Sequence, residues 1–196
     1  MGRWNIRWSI LLVLWCVTGV KLAAMKVESL DRGWFFNRGY ESQAADKVTV
    51  DLPHTWNAAD AMFGNVNYYR GMSTYSRFIV VPSSENFKRV FLRVKAAQTV
   101  ADVYLDNHFV AQHKGGYTSF TVELTHLIRR GEKQKLDIRV SNAQTMEIAP
   151  ICGDFNIWGG LNRGVELLYT DDACIDPTFY GSFGVFFTQK SMPDWK

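Results

Sequence analysis

The run from Gly153 to Val165, Gly-Asp-Phe-Asn-Ile-Trp-Gly-Gly-Leu-Asn-Arg-Gly-Val, holds the side chains best suited to recognising a ligand. Asp154, Asn156, Asn162 and Arg163 supply polar and charged groups, while Phe155 and Trp158 supply flat apolar faces that pack on a sugar ring or in a core. Gly159 and Gly160 admit backbone angles that other residues resist. Apolar residues here follow neither the helical nor the strand period, so the run reads as a long shaped loop. Loops held by a rigid scaffold are where binding residues concentrate. The plainer reading is a surface loop with an inward Trp158 and an Asp154–Arg163 ion pair.

Other chemistries find little support. There is no Gly-x-Ser-x-Gly elbow for a serine nucleophile. Gly115-Gly116 lacks the Lys-Ser/Thr that completes a phosphate-binding loop. Cys152 and Cys174 have no histidine at metal-ligand spacing; in an oxidising compartment they are able to pair. His54 sits in a loop and is read as structural, hydrogen-bonded to backbone. His108, His113 and His126 are read as surface residues.

The elements that must carry these loops alternate with a period of two. Val48, Val50 and Leu52 alternate with Thr49 and Asp51; Val90, Leu92 and Val94 with Arg93 and Lys95; Ala101, Val103 and Leu105 with Asp102 and Tyr104. The same holds around Phe78, Phe120, Leu136 and Val165. These are half-buried strands. Asp106-Asn107 tolerates positive φ and predicts a tight hairpin turn. No stretch keeps a helical pattern for long; His126 to Arg130 is expected to make one helical turn before Gly131. Many short strands with turn signals imply an all-β sandwich or barrel, and about eight of them suit a jelly roll. Asp31 to Phe36 reads as an opening segment whose aromatics, Trp34 among them, cover one edge of the core.

Residues 1–24 stand apart. Arg3 and Arg7 precede an apolar run from Ser9 to Val20, too short to span a bilayer comfortably, and Leu22-Ala23-Ala24 offers a small-residue cleavage site. This reads as a secretory signal peptide cut near Ala24, which places the mature protein in the periplasm or outside the cell; an uncleaved membrane anchor is the other reading. A lipoprotein is disfavoured because bulky Trp15 precedes Cys16. Removing Arg3, Arg7 and Lys21 leaves 19 basic residues against the 19 acidic ones, a net charge of zero. The basic balance thus belongs to the leader, and no sizeable basic face remains for nucleic acid.

Asp154-x-x-x-x-Gly159-Gly160-x-x-Arg163, followed by an apolar alternation, resembles the end of the N-terminal sugar-binding domain of glycoside hydrolase family 2. Three earlier stretches match that family in order: Leu52-Pro53-His54-Thr55-Trp56-Asn57, Tyr68-Tyr69-Arg70-Gly71 ahead of Tyr75, and His113-Lys114-Gly115-Gly116-Tyr117-Thr118-Ser119-Phe120. The resemblance implies a jelly-roll β-sandwich over residues 25–172. It also implies that residues 173–196 are a linker and the start of an immunoglobulin-like domain.

The family hydrolyses terminal β-linked sugars with two glutamates on a (β/α)₈ barrel, the carboxyl groups about 5 Å apart in retaining enzymes. A barrel takes about 250 residues, and the Asn-Glu dipeptide of the family's acid/base is absent from this sequence. The chain is therefore expected to be the carbohydrate-binding portion of a β-galactosidase-like enzyme, cut off before its catalytic domain and inactive alone. No catalytic residue is assigned. The resemblance puts Asp154 on the terminal sugar and, in some members, on a sodium ion; it offers Asn65 and Asn67 as further sugar contacts and leaves Trp158 to stack on a sugar or pack inward. No other cofactor is implied. Expected partners are a carbohydrate and the remaining domains of the same polypeptide, with no nucleic acid and, after leader cleavage, no membrane. A free-standing carbohydrate-binding module is the alternative.

Overall fold

The computed structural model describes residues 25–39, 48–60, 68–84, 86–149, 156–182 and 184–190. Asp154, Asn65, Asn67 and Cys152 lie outside the described residues, as do residues 1–24.

Ten strands are present: β1 Lys26–Ser29, β2 Trp34–Arg38, β3 Val48–Val50, β4 Met72–Val80, β5 Arg89–Val94, β6 Val100–Leu105, β7 His108–Lys114, β8 Phe120–Glu123, β9 Lys133–Ser141 and β10 Val165–Thr170. They form two antiparallel sheets, one ordered β1-β10-β5-β8 and the other β3-β2-β4-β9-β6-β7. The fold is an all-β jelly-roll sandwich. Its core lies between the sheets, where Trp34, Tyr75, Val103, Leu136, Ile138, Leu167 and Tyr169 are fully buried. In β6 the sequence alternation maps directly onto burial: Ala101, Val103 and Leu105 point inward, and Asp102 and Tyr104 are only part-buried. Such inner faces interdigitate to make a sandwich core.

Asp106 and Asn107 take φ of 48° and 67°, the left-handed pair that a two-residue hairpin demands. Trp34 is structural: its Nε1 donates to Leu30 O at 2.6 Å. It belongs to a full strand rather than an irregular opening, because β2 pairs with both β3 and β4. The turn expected over His126 to Arg130 falls two residues earlier, with the amides of Leu127 and Ile128 both donating to Leu124 O. His113 is not a plain surface residue. Its ring stacks on Phe120 at 4.4 Å, and burial pushes its imidazole pKa down.

Beyond Thr170 no strand forms among the described residues. The segment folds back on the small sheet: Ser119 Oγ donates to Gly181 O at 2.8 Å, and the free thiol of Cys174 lies 3.5 Å from an Arg89 nitrogen. Phe186 packs on Phe179 with ring centroids 5.2 Å apart, while Phe187 is 96% exposed.

Candidate sugar site at the loop end

Four connections meet at one end of the sandwich, their described parts being residues 51–60 with 68–71, 95–99, 115–119, and 142–149 with 156–164. Two of them run side by side. His54 N donates to Leu161 O at 2.9 Å and Trp56 N to Gly159 O at 3.2 Å. The approach is close enough to require glycine. A Cβ on Gly159 would lie 2.1 Å from the Trp56 ring, and one on Gly160 would lie 2.4 Å from His54 O. Gly160 also has φ +136°, which side chains resist. The Gly-Gly pair is thus explained by packing and backbone angle, independently of any ligand.

Buried amides fix the rest. Asn57 is fully buried; it accepts from Gly159 N at 3.0 Å and donates to Ile157 O at 3.1 Å. Asn142, also fully buried, donates to Ile157 O and Tyr69 O and accepts from Gly71 N. Tyr68 OH closes on the same Ile157 carbonyl at 2.6 Å. The Pro-His-Thr-Trp-Asn and Tyr-Tyr-Arg-Gly stretches therefore serve to hold the 156–162 segment.

Between these walls lies an open trough of about 490 Å³ lined by Pro53, His54, Thr55, Ala58, Trp158 and Asn162. Its size falls in the range of small-molecule clefts. The His54 ring packs at 4.8 Å from Phe36, and its Nδ1 shares a 2.8 Å hydrogen bond with Tyr75 OH. So the imidazole bonds a side chain and not backbone, and burial pushes its pKa down, favouring the neutral ring. Trp158 is 37% exposed and stands at the trough. Asn162 donates to Trp158 O at 2.9 Å and to Gln98 Oε1 at 3.0 Å; its own Oδ1 is buried without a partner. Arg163 is exposed and makes no ion pair among the described residues.

This lining carries uncharged polar groups beside apolar faces, the surface a sugar presents in reverse. It has no pair of carboxylates. The buried acids elsewhere serve the fold: Asp60 accepts from Tyr69 N, Asp137 pairs with Lys135, and Glu166 lies between Arg93 and Lys95. Among the described residues no three metal-ligating side chains cluster. The described lining offers a sodium ion only the Thr55 hydroxyl and the Asn162 amide oxygen as oxygen donors, too few to hold that ion without further ligands.

Of the residues singled out in the sequence, Trp158 is at the trough; the other three lie outside the described residues. Thr55, Ala58 and Gln98 were not legible as site residues, because none belongs to a spacing pattern with its own chemistry.

Residues 27–171 match the model of the glycosyl hydrolases family 2 sugar binding domain. The chain belongs to this family. A β-glucuronidase of Bacteroides fragilis is 40% identical over 161 residues, which is 82% of this chain and 23% of that protein. A β-galactosidase of Thermoanaerobacterium thermosulfurigenes is 25% identical over 177 residues, covering 85% of this chain and 25% of that protein. The crystal structure of Bacteroides uniformis β-glucuronidase 2, covalently bound to cyclophellitol-6-carboxylate aziridine, superposes with a TM-score of 0.74 at 32% identity, over 81% of this chain and 20% of that one. The family 2 domain thus accounts for about three quarters of the chain, and the chain spans about a quarter of the length of these curated relatives.

Proposed function

We propose that this domain forms one wall of the sugar site of a retaining family 2 β-glycosidase that releases terminal β-linked sugars. The observation that carries the reading is the trough beside the 156–162 segment, where Trp158 offers an aromatic face and His54, Thr55 and Asn162 offer polar atoms. Asp154, four residues before Trp158, is the proposed ligand of the terminal sugar and of any sodium ion there; Asn65 and Asn67 are further candidates. The catalytic carboxylates belong to other domains of the enzyme, and residues 1–24 deliver the protein to the periplasm or the exterior.

The family resemblance points to galactose. Relatives at 40% and 37% identity are named β-glucuronidases, which supports a β-glucuronide first. β-Galactosidases at 25% and 30% identity keep a β-galactoside as the second reading.

The test is a chimera. Residues 27–171 replace the matching segment of the Bacteroides fragilis β-glucuronidase, and nitrophenyl β-glucuronide and β-galactoside are assayed. The chimera should turn over the glucuronide faster, the 196-residue chain alone should turn over neither, and Asp154→Asn in the chimera should lower kcat/KM at least tenfold, about 1.4 kcal/mol of transition-state stabilisation. A folded chimera that is inactive on both substrates, or unaffected by Asp154→Asn, would overturn the reading.

A further inference from the structure

Gln98 is 2% exposed, yet every polar atom of its side chain is used. Its Nε2 donates to Tyr117 OH at 3.1 Å, and its Oε1 accepts from Asn162 Nδ2 at 3.0 Å. Its backbone is bridged to the site segment as well: Gln98 N donates to Gly160 O at 3.0 Å, and Gly160 N to Gln98 O at 3.4 Å. One buried amide therefore ties the Tyr117 loop to the wall of the trough. The loop lies directly on it, since a Cβ on Gly116 would come within 2.9 Å of Gln98 Cγ.

Tyr117 itself is 64% exposed. Its hydroxyl is held while most of its ring faces solvent. An aromatic ring gains little by being left in water, and one anchored at its tip has already lost the freedom that binding would otherwise take from it. Trp158 is 37% exposed, and Asn162, which bonds Gln98, also holds its backbone carbonyl. One amide relay thus links the two segments that carry these exposed aromatic faces. Pyranose rings present C–H faces to such surfaces and hydroxyls to such amides.

We infer that Tyr117 forms a second saccharide subsite beyond the trough, with Gln98 as its positioning residue, so that the domain recognises a β-linked disaccharide rather than a single terminal sugar. The inference rests on the sugar-site reading above and extends it by one ring. The terminal unit occupies the trough, and the next unit lies on Tyr117.

The 196-residue chain is titrated by NMR with methyl β-glucuronide and methyl β-galactoside, and then with the corresponding β-linked disaccharides. The matched disaccharide should bind at least tenfold more tightly than its methyl glycoside. Tyr117→Ala should remove that gain and leave the methyl glycoside unaffected; because it strands the buried Gln98 Nε2, its melting temperature should fall, and affinities are compared well below that temperature. Tyr117→Phe, which keeps the ring but removes its hydrogen bond to Gln98, should lower the disaccharide preference while leaving methyl glycoside binding unchanged. Equal affinity for the two ligands in the parent chain, or a Tyr117→Ala variant that weakens both alike, would overturn the second subsite while leaving the sugar site standing. Binding of no saccharide at all would overturn the sugar-site reading and this inference with it.

Discussion

Each end of the sandwich contains a glutamine that is 2% exposed, and the two are used in opposite ways. At the end carrying the Asp106–Asn107 turn, Gln134 seals. It accepts from Arg129 N at 2.7 Å and donates to Asp106 Oδ2 at 2.8 Å and to Leu127 O at 3.0 Å. Asp106 also accepts from Lys135 N at 2.8 Å and pairs with Arg129 at 2.9 Å. The side chains of this network bond one another. At the other end Gln98 bridges two loops whose aromatics remain exposed, and Asn162 Oδ1 and Trp56 Nε1 stay buried without partners. Closed networks of this kind specify a fold, whereas buried polar atoms left over call for another explanation. The difference separates an end that holds the sheets together from one shaped to receive something.

The strongest way to break the comparison is to attack the site end's scaffold. Asn57→Ala strands Gly159 N in a fully buried position and removes one of the three donors to Ile157 O. A buried group left unsatisfied costs about 1–3 kcal/mol and a lost hydrogen bond about 0.5–1.5 kcal/mol, so the loss should be about 3 kcal/mol. For a domain of this size that is roughly 6–12 °C of melting temperature. Denaturant unfolding measures it directly, and a loss below about 1 kcal/mol would mean that the site loops are not held as described.

At the sealing end, Asp106→Ala should cost about 2 kcal/mol, since it strands Lys135 N and Gln134 and puts alanine at positive φ. Saccharide affinity should not change. The pH profile sharpens the test. Burial pushes the Asp106 carboxyl pKa up, but the hydrogen bonds from Lys135 N, Gln134 and Arg129, together with the Arg129 charge, outweigh it and hold the pKa below the ordinary 3.8. A carboxyl with a depressed folded pKa contributes stability above its unfolded value, and that contribution is lost as pH falls through the folded one. The parent should therefore lose stability below pH 3.8 more steeply than the variant. Parallel acid limbs would remove Asp106 from the network.

The two ends were not equally legible in the sequence. Asp106-Asn107 announces its turn because positive φ is a local demand on residue type. β6 announces itself because one face is buried and the other is not. β7 gives no such signal: it is an edge strand with no fully buried residue, so nothing alternates. β1 hides likewise in a short, mostly exposed run. In β10 all six residues are buried, so its alternation records side-chain chemistry rather than exposure. Of the site, the 153–165 run stood out by composition, and its Gly-Gly pair proved to serve close packing. Gln98 and Asn142 do not stand out, and Asn57 enters only as the last residue of the Leu52–Asn57 match, because a buried amide is defined by partners some 60 to 100 residues away and has no period of its own.

The smallest expected effect decides the role of Asp154. If Asp154 serves the fold by pairing with Arg163, removing the arginine should be costly, because leaving one charge of a buried pair alone costs about 3–5 kcal/mol. Arg163 is exposed and makes no ion pair among the described residues. An exposed pair contributes about 0–1 kcal/mol, and surface substitutions usually stay within about 0.5 kcal/mol. Arg163→Ala should accordingly shift the melting temperature by no more than one or two degrees, about the effect of 0.5 kcal/mol. The matched Asp154→Asn variant should be equally mild in stability while losing saccharide binding. Additivity supplies the control: in the double variant, two residues that do not interact should sum to within about 0.3–0.5 kcal/mol. A coupling well above that would assign Asp154 to the scaffold. The exposed end would then resemble the sealed one, with its charge spent on holding the loop rather than on the sugar.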